Sequence, residues 1–171
     1  PTPITLSGAS VGGSATTGAW SITSGGGTLS NTAQTSTPGT VTYTPAANFS
    51  GTVTLTLTTN APGPCAAVSA TRTITVNQAP TVTAGSAQTI CSDGTANLSA
   101  SIGGGVTSGT WTTSGSGSFS NNTPNAVYTP SAADINAGAV TLTYTTEDPA
   151  GPCGAVSASV DLTIRKGVVI T

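Results

Sequence analysis

Few side chains in this 171-residue sequence can take part in chemistry. It contains three cysteines, five Asp or Glu residues and three Lys or Arg residues, and it has no histidine. A nucleophile activated by histidine, as in serine and cysteine hydrolases, therefore cannot be built. Glycoside cleavage needs two carboxyl groups at a defined separation, whereas the adjacent Glu147 and Asp148 would point to opposite faces of a strand. We predict that the protein is not an enzyme.

The carboxylates remain as candidate ligands for a hard cation such as calcium, which binds oxygen atoms. The weak candidates are Asp93, Glu147 and Asp148, which would meet only if their turns lie at one end of the fold. A similar stretch earlier in the chain has Asn60 and Ala61 at the corresponding place, which weakens the case for a metal. We predict turn residues and no cofactor, with calcium as the alternative.

The chain contains two copies of one unit. The most regular stretch of the first copy reads TLTLTTNAPGPCAAVSA from Thr54, and that of the second reads TLTYTTEDPAGPCGAVSA from Thr141. Alternation of apolar and polar residues predicts half-buried β-strands, and the Pro-Gly-Pro-Cys segment predicts a turn between them. Recurrence of this hairpin makes the protein a repeat array.

Composition supports an all-β fold and excludes some partners. Thr, Val and Ile favour strands, whereas strong helix formers are scarce, and no window shows helical spacing of apolar residues. A net charge of −2 without a basic cluster argues against nucleic-acid binding. No apolar run approaches the roughly 20 residues that a membrane-spanning helix needs. We therefore predict neither nucleic-acid binding nor membrane insertion.

About seven short strands in the roughly 90 residues of the second copy, with a tryptophan early in the middle, are typical of an immunoglobulin-like sandwich. Trp20 corresponds to Trp111, and Tyr43 to Tyr128. We predict that the tryptophans are core residues and that the tyrosines pack at strand ends. In the second copy the pattern predicts strands near residues 80–84, 87–91, 95–102, 108–114, 117–120, 124–129, 138–147 and 155–165.

We predict that the sequence does not begin and end at the boundaries of its two repeats. The second copy has strands before residue 95 that the first copy lacks, and the sequence reads as a mature product or a piece of a longer chain. We predict an incomplete repeat at 1–77, lacking its first strand, and a complete repeat at 78–167. Residues 168–171 would then be the start of a further repeat or a donated strand.

The motifs of the second copy resemble a known family of repeats. The segments QTIC from Gln88, GTW from Gly109, YTPSAAD from Tyr128 and DPAGPC from Asp148 are similar to tandem PKD-like/Ig-like repeats of large Bacteroidota surface proteins. These include gliding-motility adhesins exported by the type IX secretion system. The resemblance implies an extracellular, cell-surface stalk or filament built from many such repeats. It implies no catalytic residue.

Three cysteines in so polar a chain indicate an oxidising compartment. Cys91 follows an early strand of the second copy and Cys153 lies in its last hairpin turn, and in a sandwich such ends can lie together. We predict a disulfide between Cys91 and Cys153. Cys65 corresponds to Cys153, so it is either a free thiol or the partner of a cysteine on a preceding segment.

Two functions remain open. The first is a structural repeat module of an extracellular bacterial surface filament or adhesin stalk that assembles head to tail, with copies of itself or adjacent repeats as partners. Its assembly strand would be Val168, Val169, Ile170 and Thr171, a β-branched run able to fill the missing strand of the first copy. The alternative is a carbohydrate- or calcium-binding accessory module of a secreted protein, with surface glycans as partners.

Overall fold

The computed structural model describes residues 1–167, and its regular structure is almost entirely β-strand. The chain divides into two compact units, Pro1–Gln78 and a second unit that begins at Ala79. The predicted boundary between residues 77 and 78 lies one residue earlier. The predicted assembly strand at 168–171 lies outside the described residues. No helix in the described part of the chain is long and apolar enough to cross a membrane.

The first unit is a sandwich of two antiparallel three-stranded sheets. One sheet has the strand order β1-β4-β3, and the other has the order β2-β5-β6. A short 3-10 helix (Pro38–Thr40) precedes β4. The strands are β1 (Ile4–Thr5), β2 (Gly18–Ser24), β3 (Gly27–Leu29), β4 (Thr42–Pro45), β5 (Gly51–Thr59) and β6 (Ser69–Val76).

Strand β5 shows why this sequence forms a sandwich. Its inward residues Val53, Leu55 and Leu57 are buried, while the threonines between them face outward. Side chains alternate between the two faces of a strand, so an alternating sequence presents one continuous apolar face to the core. The β-branched threonines keep the outer face compatible with extended backbone. The apolar face packs with Trp20 and Tyr43 in a single core.

The second unit repeats this arrangement and adds strands. Its largest sheet has the order β11-β14-β15-β8, and two further sheets have the orders β12-β13-β9 and β10-β7. All pairs are antiparallel except β15 with β8, which run parallel. The strands are β7 (Thr81–Thr83), β8 (Gln88–Cys91), β9 (Ala96–Asn97), β10 (Ser101–Gly103), β11 (Gly109–Thr113), β12 (Ser118–Phe119), β13 (Val127–Thr129), β14 (Ala139–Thr146) and β15 (Ser157–Arg165).

The predicted core residues take their places in both units. Trp20 and Trp111 are each 4% exposed, and Tyr43 and Tyr128 are completely buried. The indole Nε1 of Trp20 donates a hydrogen bond to the carbonyl oxygen of Pro38 at 3.0 Å, which satisfies its polar atom inside the core. The prediction that these aromatic residues pack in the interior is confirmed.

Strands β7 and β8 distinguish the two units. They begin the second unit, and the described part of the first unit has no counterpart of either. The predicted fold class, two tandem immunoglobulin-like sandwiches with the first lacking its N-terminal strand, is confirmed. The missing element consists of two short strands, and the predicted strand at 95–102 is two strands, β9 and β10, separated by the buried Leu98 and Ala100.

One short helix, α1 (Ala132–Ala137), is absent from the sequence prediction. It begins with a capping box, in which Ser131 Oγ accepts from the Asp134 backbone N–H and the Asp134 carboxylate accepts from the Ser131 N–H. Asp134 is only 2% exposed, and it also accepts from the Tyr128 hydroxyl at 2.8 Å and the Ser116 N–H at 2.9 Å. The Ser-x-x-Asp spacing is the sequence signal for this helix start.

The buried Asp134 makes the second unit sensitive to acid. Burial by itself would raise the pKa of this carboxyl, but hydrogen bonds from Ser131, Ser116 and Tyr128 outweigh burial and lower the pKa to about 2, from 3.8. A depressed folded-state pKa adds stability above the unfolded pKa, and this stability is lost as the pH falls through the folded value. We expect the free energy of unfolding to fall by on the order of 2 kcal/mol between about pH 5 and pH 2.

Urea titrations at several pH values measure this decrease in the free energy of unfolding. Unfolding is monitored by the fluorescence of Trp111 in a chain that carries Trp20→Phe. The matched variant Asp134→Asn keeps the shape of the side chain and removes its titration. We expect Asp134→Asn to be less stable at pH 7 and to lose less stability on acidification. An equal acid-induced loss in both chains would contradict the assignment.

Candidate assembly edge of the first unit

In the second unit, β7 and β8 close one side of the sandwich. Strand β7 pairs antiparallel with β10, and β8 pairs in parallel with β15, so the segment passes from the two-stranded sheet to the largest sheet. Ala84, on the crossover between them, is buried. Both β10 and β15 therefore gain backbone hydrogen bonds, and the core gains a cover on this side.

The equivalent side of the first unit is open. The registers of the two units match, since Ile74 stands opposite Val53 on β5 as Leu162 stands opposite Val140 on β14. Leu162 is 1% exposed, and Ile164, two residues further on, is 3% exposed. Their counterparts on β6, Ile74 and Val76, are only half-buried. Strand β6 pairs with β5 on one side, and no other described strand pairs with it, which leaves a free backbone edge.

A groove of about 430 Å³ lies along this open side. Arg72 lies there, on β6, at the position that the buried Val160 holds on β15. Its guanidinium Nη1 donates a hydrogen bond to the carbonyl oxygen of Ser7 at 3.0 Å. The groove is lined by Ser7, Gly8, Ala9, Ser10, Trp20, Leu57, Ala70, Thr71 and Arg72.

Arg72 is not among the site residues predicted from the sequence. The sequence signal for this residue lies in the alternating pattern of β6. An inward position of β6 carries a charged residue, although the corresponding position in the second repeat is apolar. A charge is tolerated there because the groove is open to water and the Ser7 carbonyl accepts from the guanidinium. The arginine therefore marks the place where the first unit has no covering strand.

The predicted disulfide between Cys91 and Cys153 is wrong for a single chain. Cys91 stands opposite Arg165 at one end of β15, whereas Cys153 lies in the hairpin that precedes Ser157 at the other end. Eight residues of strand separate these ends by roughly 26 Å. The four residues from Cys153 to Ser157 can recover at most about 14 Å, so the Cα atoms stay well beyond the ~7 Å limit for a disulfide.

The cysteines accordingly remain at separate places. Cys65, in the hairpin turn of the first unit, and Cys91 are exposed, and Cys153 is half-buried. The sequence correctly places Cys65 and Cys153 in equivalent turns. The expectation that the two cysteines lie together fails because β8 runs parallel to β15 and therefore ends where β15 ends, far from the hairpin.

The carboxylates do not assemble into a metal site. Asp93 follows β8, where the Ser92 N–H bonds to the Arg165 carbonyl, while Glu147 and Asp148 follow β14 at the other end of the sheet. No group of three potential metal ligands occurs among residues 1–167. The weak calcium candidates are therefore divided between two ends of the unit.

Glu147 instead fastens a loop. Its Oε1 accepts from the Thr107 N–H at 2.7 Å, and its Oε2 accepts from the Ser108 hydroxyl at 2.7 Å. These hydrogen bonds, with the Thr107 N–H the strongest influence, lower the pKa of the Glu147 carboxyl. Asn60 does the same in the first unit, where its Oδ1 accepts from the N–H groups of Thr16 and Thr17. The shared role explains why an amide can replace the carboxylate.

A second groove in the first unit, of about 720 Å³, lies between the edges of β2 and β3. It includes Trp20, but the ring is 4% exposed and presents no open face for sugar stacking. In the second unit Phe119 stacks on Trp111 with ring centres 6.1 Å apart, while the first unit has the smaller Leu29 on the equivalent strand. The groove is therefore present in the first unit because Leu29 on β3 is smaller than Phe119, its counterpart in the second unit.

No family model matches this sequence, and no curated protein matches it. Among solved structures, the chain is similar to Drosophila N-cadherin EC1-4, with 12% identity over 87% of this chain and 41% of that one, at a TM-score of 0.50. It is also similar to mouse cadherin-23 EC22-24, with 13% identity over 87% of this chain and 53% of that one, at a TM-score of 0.43. The chain thus spans about half or less of each. At such identity the N-cadherin likeness shows the fold alone, which is a tandem immunoglobulin-like sandwich.

The placement of the cysteines has a direct chemical consequence. We expect Cys65 and Cys91 to react with a maleimide in the folded, reduced monomer, because both are exposed. Oxidation of the monomer at low concentration should give no Cys91–Cys153 link, because the fold holds the two thiols at opposite ends of β15. Mass mapping of non-reduced peptides measures both results, with urea-unfolded protein as the control in which distance no longer limits pairing. A Cys91–Cys153 peptide from folded monomer would contradict the parallel register of β8.

Proposed function

We propose that this chain is a structural repeat module of an extracellular bacterial surface filament or adhesin stalk, whose copies join head to tail. The observation that carries this proposal is the open side of the first unit, where the second unit has β7 and β8. A sandwich that lacks a strand offers unpaired backbone groups and a groove to an incoming strand. The residues proposed to supply that strand are Val168, Val169, Ile170 and Thr171 of a neighbouring copy.

The physical character of the chain supports this function. Joining one end of a molecule to the open side of another is a heterologous contact, and such contacts extend into lines when they do not close. Only 5% of the residues are charged and the net charge is −2, so little repulsion opposes close approach of copies. The absence of histidine from the sequence supports a non-enzymatic role. The resemblance to PKD-like repeats of Bacteroidota surface proteins supports the extracellular location.

The accessory-module alternative has less support. A calcium site at Asp93, Glu147 and Asp148 would need residues that the fold holds at two ends of one unit, and Glu147 already accepts hydrogen bonds from its own loop. A sugar site would need an exposed aromatic face, and both tryptophans are buried. We therefore favour the structural role over binding of calcium or glycans.

Removal of residues 168–171 tests the proposal. We expect the 171-residue chain to form linear multimers that grow with concentration, and the shortened chain to remain monomeric, because the donated backbone hydrogen bonds and apolar side chains are lost. Light scattering after size-exclusion chromatography gives the mass, and negative-stain electron microscopy gives the shape. A matched chain with Gly-Ser-Gly-Ser at 168–171 keeps the length and removes the strand propensity.

Two results would count against the proposal. If the 171-residue chain stays monomeric over a wide concentration range, head-to-tail assembly fails. If the shortened chain forms filaments as readily as the intact one, with an equally stable first unit, residues 168–171 are not the complementing strand.

A further inference from the structure

We infer that the outer face of β5 and β6 in the first unit binds ice. This surface, the threonine face, consists of the outward side chains of residues 52–58 on β5 and 69–75 on β6. Its ligand is the ordered water at the surface of a growing ice crystal. The face lies within one pair of strands, so the inference does not depend on how copies of the chain assemble.

Every outward position of the threonine face carries a hydroxyl group. The outward residues are all threonine except Ser69, although strand propensity alone would equally admit valine, isoleucine or tyrosine. The antiparallel register aligns these residues across the two strands, so the hydroxyls form two rows with matching rungs. Three of the aligned pairs are Thr52 with Thr75, Thr54 with Thr73 and Thr56 with Thr71.

The spacing of these rows is close to that of water in ice. Opposed residues of an antiparallel pair have Cβ atoms about 4.5–5.5 Å apart. Successive outward residues on one strand are about 6.4–6.8 Å apart, since they are separated by two strand residues. Oxygen atoms on a prism face of hexagonal ice repeat at similar distances in two perpendicular directions. The twist of a sheet limits such a match to adjacent strands, and β5 and β6 are adjacent.

Most hydroxyls of the threonine face are available to external water. Thr58 and Ser69, at one end of the face, bond to each other at 2.8 Å, and Thr56 bonds to Thr23 on β2. The remaining hydroxyls have no hydrogen-bond partner among residues 1–167, and they belong to Thr52, Thr54, Thr71, Thr73 and Thr75. A hydroxyl group can both donate and accept, so these five can join a lattice of water on either terms.

The equivalent face of the second unit differs in both respects. Thr143 Oγ1 and Ser159 Oγ lie 2.8 Å apart and therefore bond to each other. Thr141 Oγ1 donates to the Asp161 carboxylate at 2.9 Å. Asp161 holds the position that Thr73 holds in the first unit. The second face is therefore charged and bonded within itself, which assigns the ice-binding surface to the first unit.

The threonine face is neutral, which suits a neutral crystal. Arg72 is the only Lys, Arg, Asp or Glu residue in 1–78, and it lies on the inward row of β6, opposite Leu55. About a quarter of the residues of an ordinary globular domain are charged, and edge strands are often protected by lysine. A charge orients its own hydration shell, which does not fit the ice lattice. Threonine methyl groups instead restrict the orientation of the water beside them.

Partition into ice tests the inference. A cooled probe grows a shell of ice slowly in a stirred solution of the 171-residue chain, with lysozyme added as a protein that growing ice excludes. The protein concentrations in the melted shell and in the remaining liquid are then compared. We expect the intact chain to be enriched in the shell and lysozyme to be excluded from it.

Two variants place a charge on the threonine face. Thr73→Asp introduces the residue that the second unit has there, and Thr71→Asp introduces the same charge at another exposed position. We expect each to lower the shell-to-liquid ratio about ten-fold, because the charge has to lose hydration on contact with ice. The matched control Thr28→Asp changes an exposed threonine of β3, in the other sheet, and should leave the ratio unchanged. Circular dichroism checks that all three variants are folded.

Three results would overturn the inference. They are exclusion of the intact chain from the ice, equal enrichment of the intact chain and both face variants, and a loss in Thr28→Asp as large as that in Thr73→Asp. The last result would mean that net charge, and not the threonine face, governs the partition. Light scattering on the same samples measures head-to-tail assembly separately, so failure of ice binding and failure of the proposed function are distinguishable.

Discussion

The pairing of β8 with β15 is the contact on which the difference between the two units depends. A sheet edge carries unpaired N–H and C=O groups, and in a sandwich the same edge also borders the apolar core. Where β7 and β8 cover this border, Leu162 and Ile164 are buried. Where the two strands are missing, the equivalent Ile74 and Val76 are half-exposed and a groove opens beside Arg72. The second unit therefore shows which strands cover the edge that is open in the first unit.

Polar residues keep the loops of both units in place. Glu147 and Asn60 fasten equivalent loops by accepting backbone N–H groups, and Asp134 joins the start of α1 to the hydroxyl of Tyr128. No buried side-chain polar atom in the described residues lacks a hydrogen-bond partner. A hydrogen bond to a buried polar group offsets the cost of removing that group from water, and it therefore holds the loop in one position.

The positions of Cys91 and Cys153 also depend on how β8 pairs with β15. Parallel pairing places Cys91 at the end of the sheet where β15 ends, while the hairpin turn holds Cys153 at the opposite end. A disulfide across the unit would need those two ends to meet. The hydrophobic core therefore has to stabilise the second sandwich without a cross-link between these two residues.

The sequence by itself determined the local features of this protein. Alternation over eight residues fixed β5 and β14 as half-buried strands, because the strand period of two assigns each residue to a face. Internal repetition then identified the tryptophans as equivalent core residues and showed that the strands before residue 95 have no counterpart among residues 1–77. Only the tertiary structure decided the direction in which β8 pairs, since parallel and antiparallel neighbours use the same alternating pattern and differ in which ends meet. That single choice separated Cys91 from Cys153 and Asp93 from Glu147. The tertiary structure alone also shows that Arg72 borders a groove, because the walls of that groove come from segments distant in sequence.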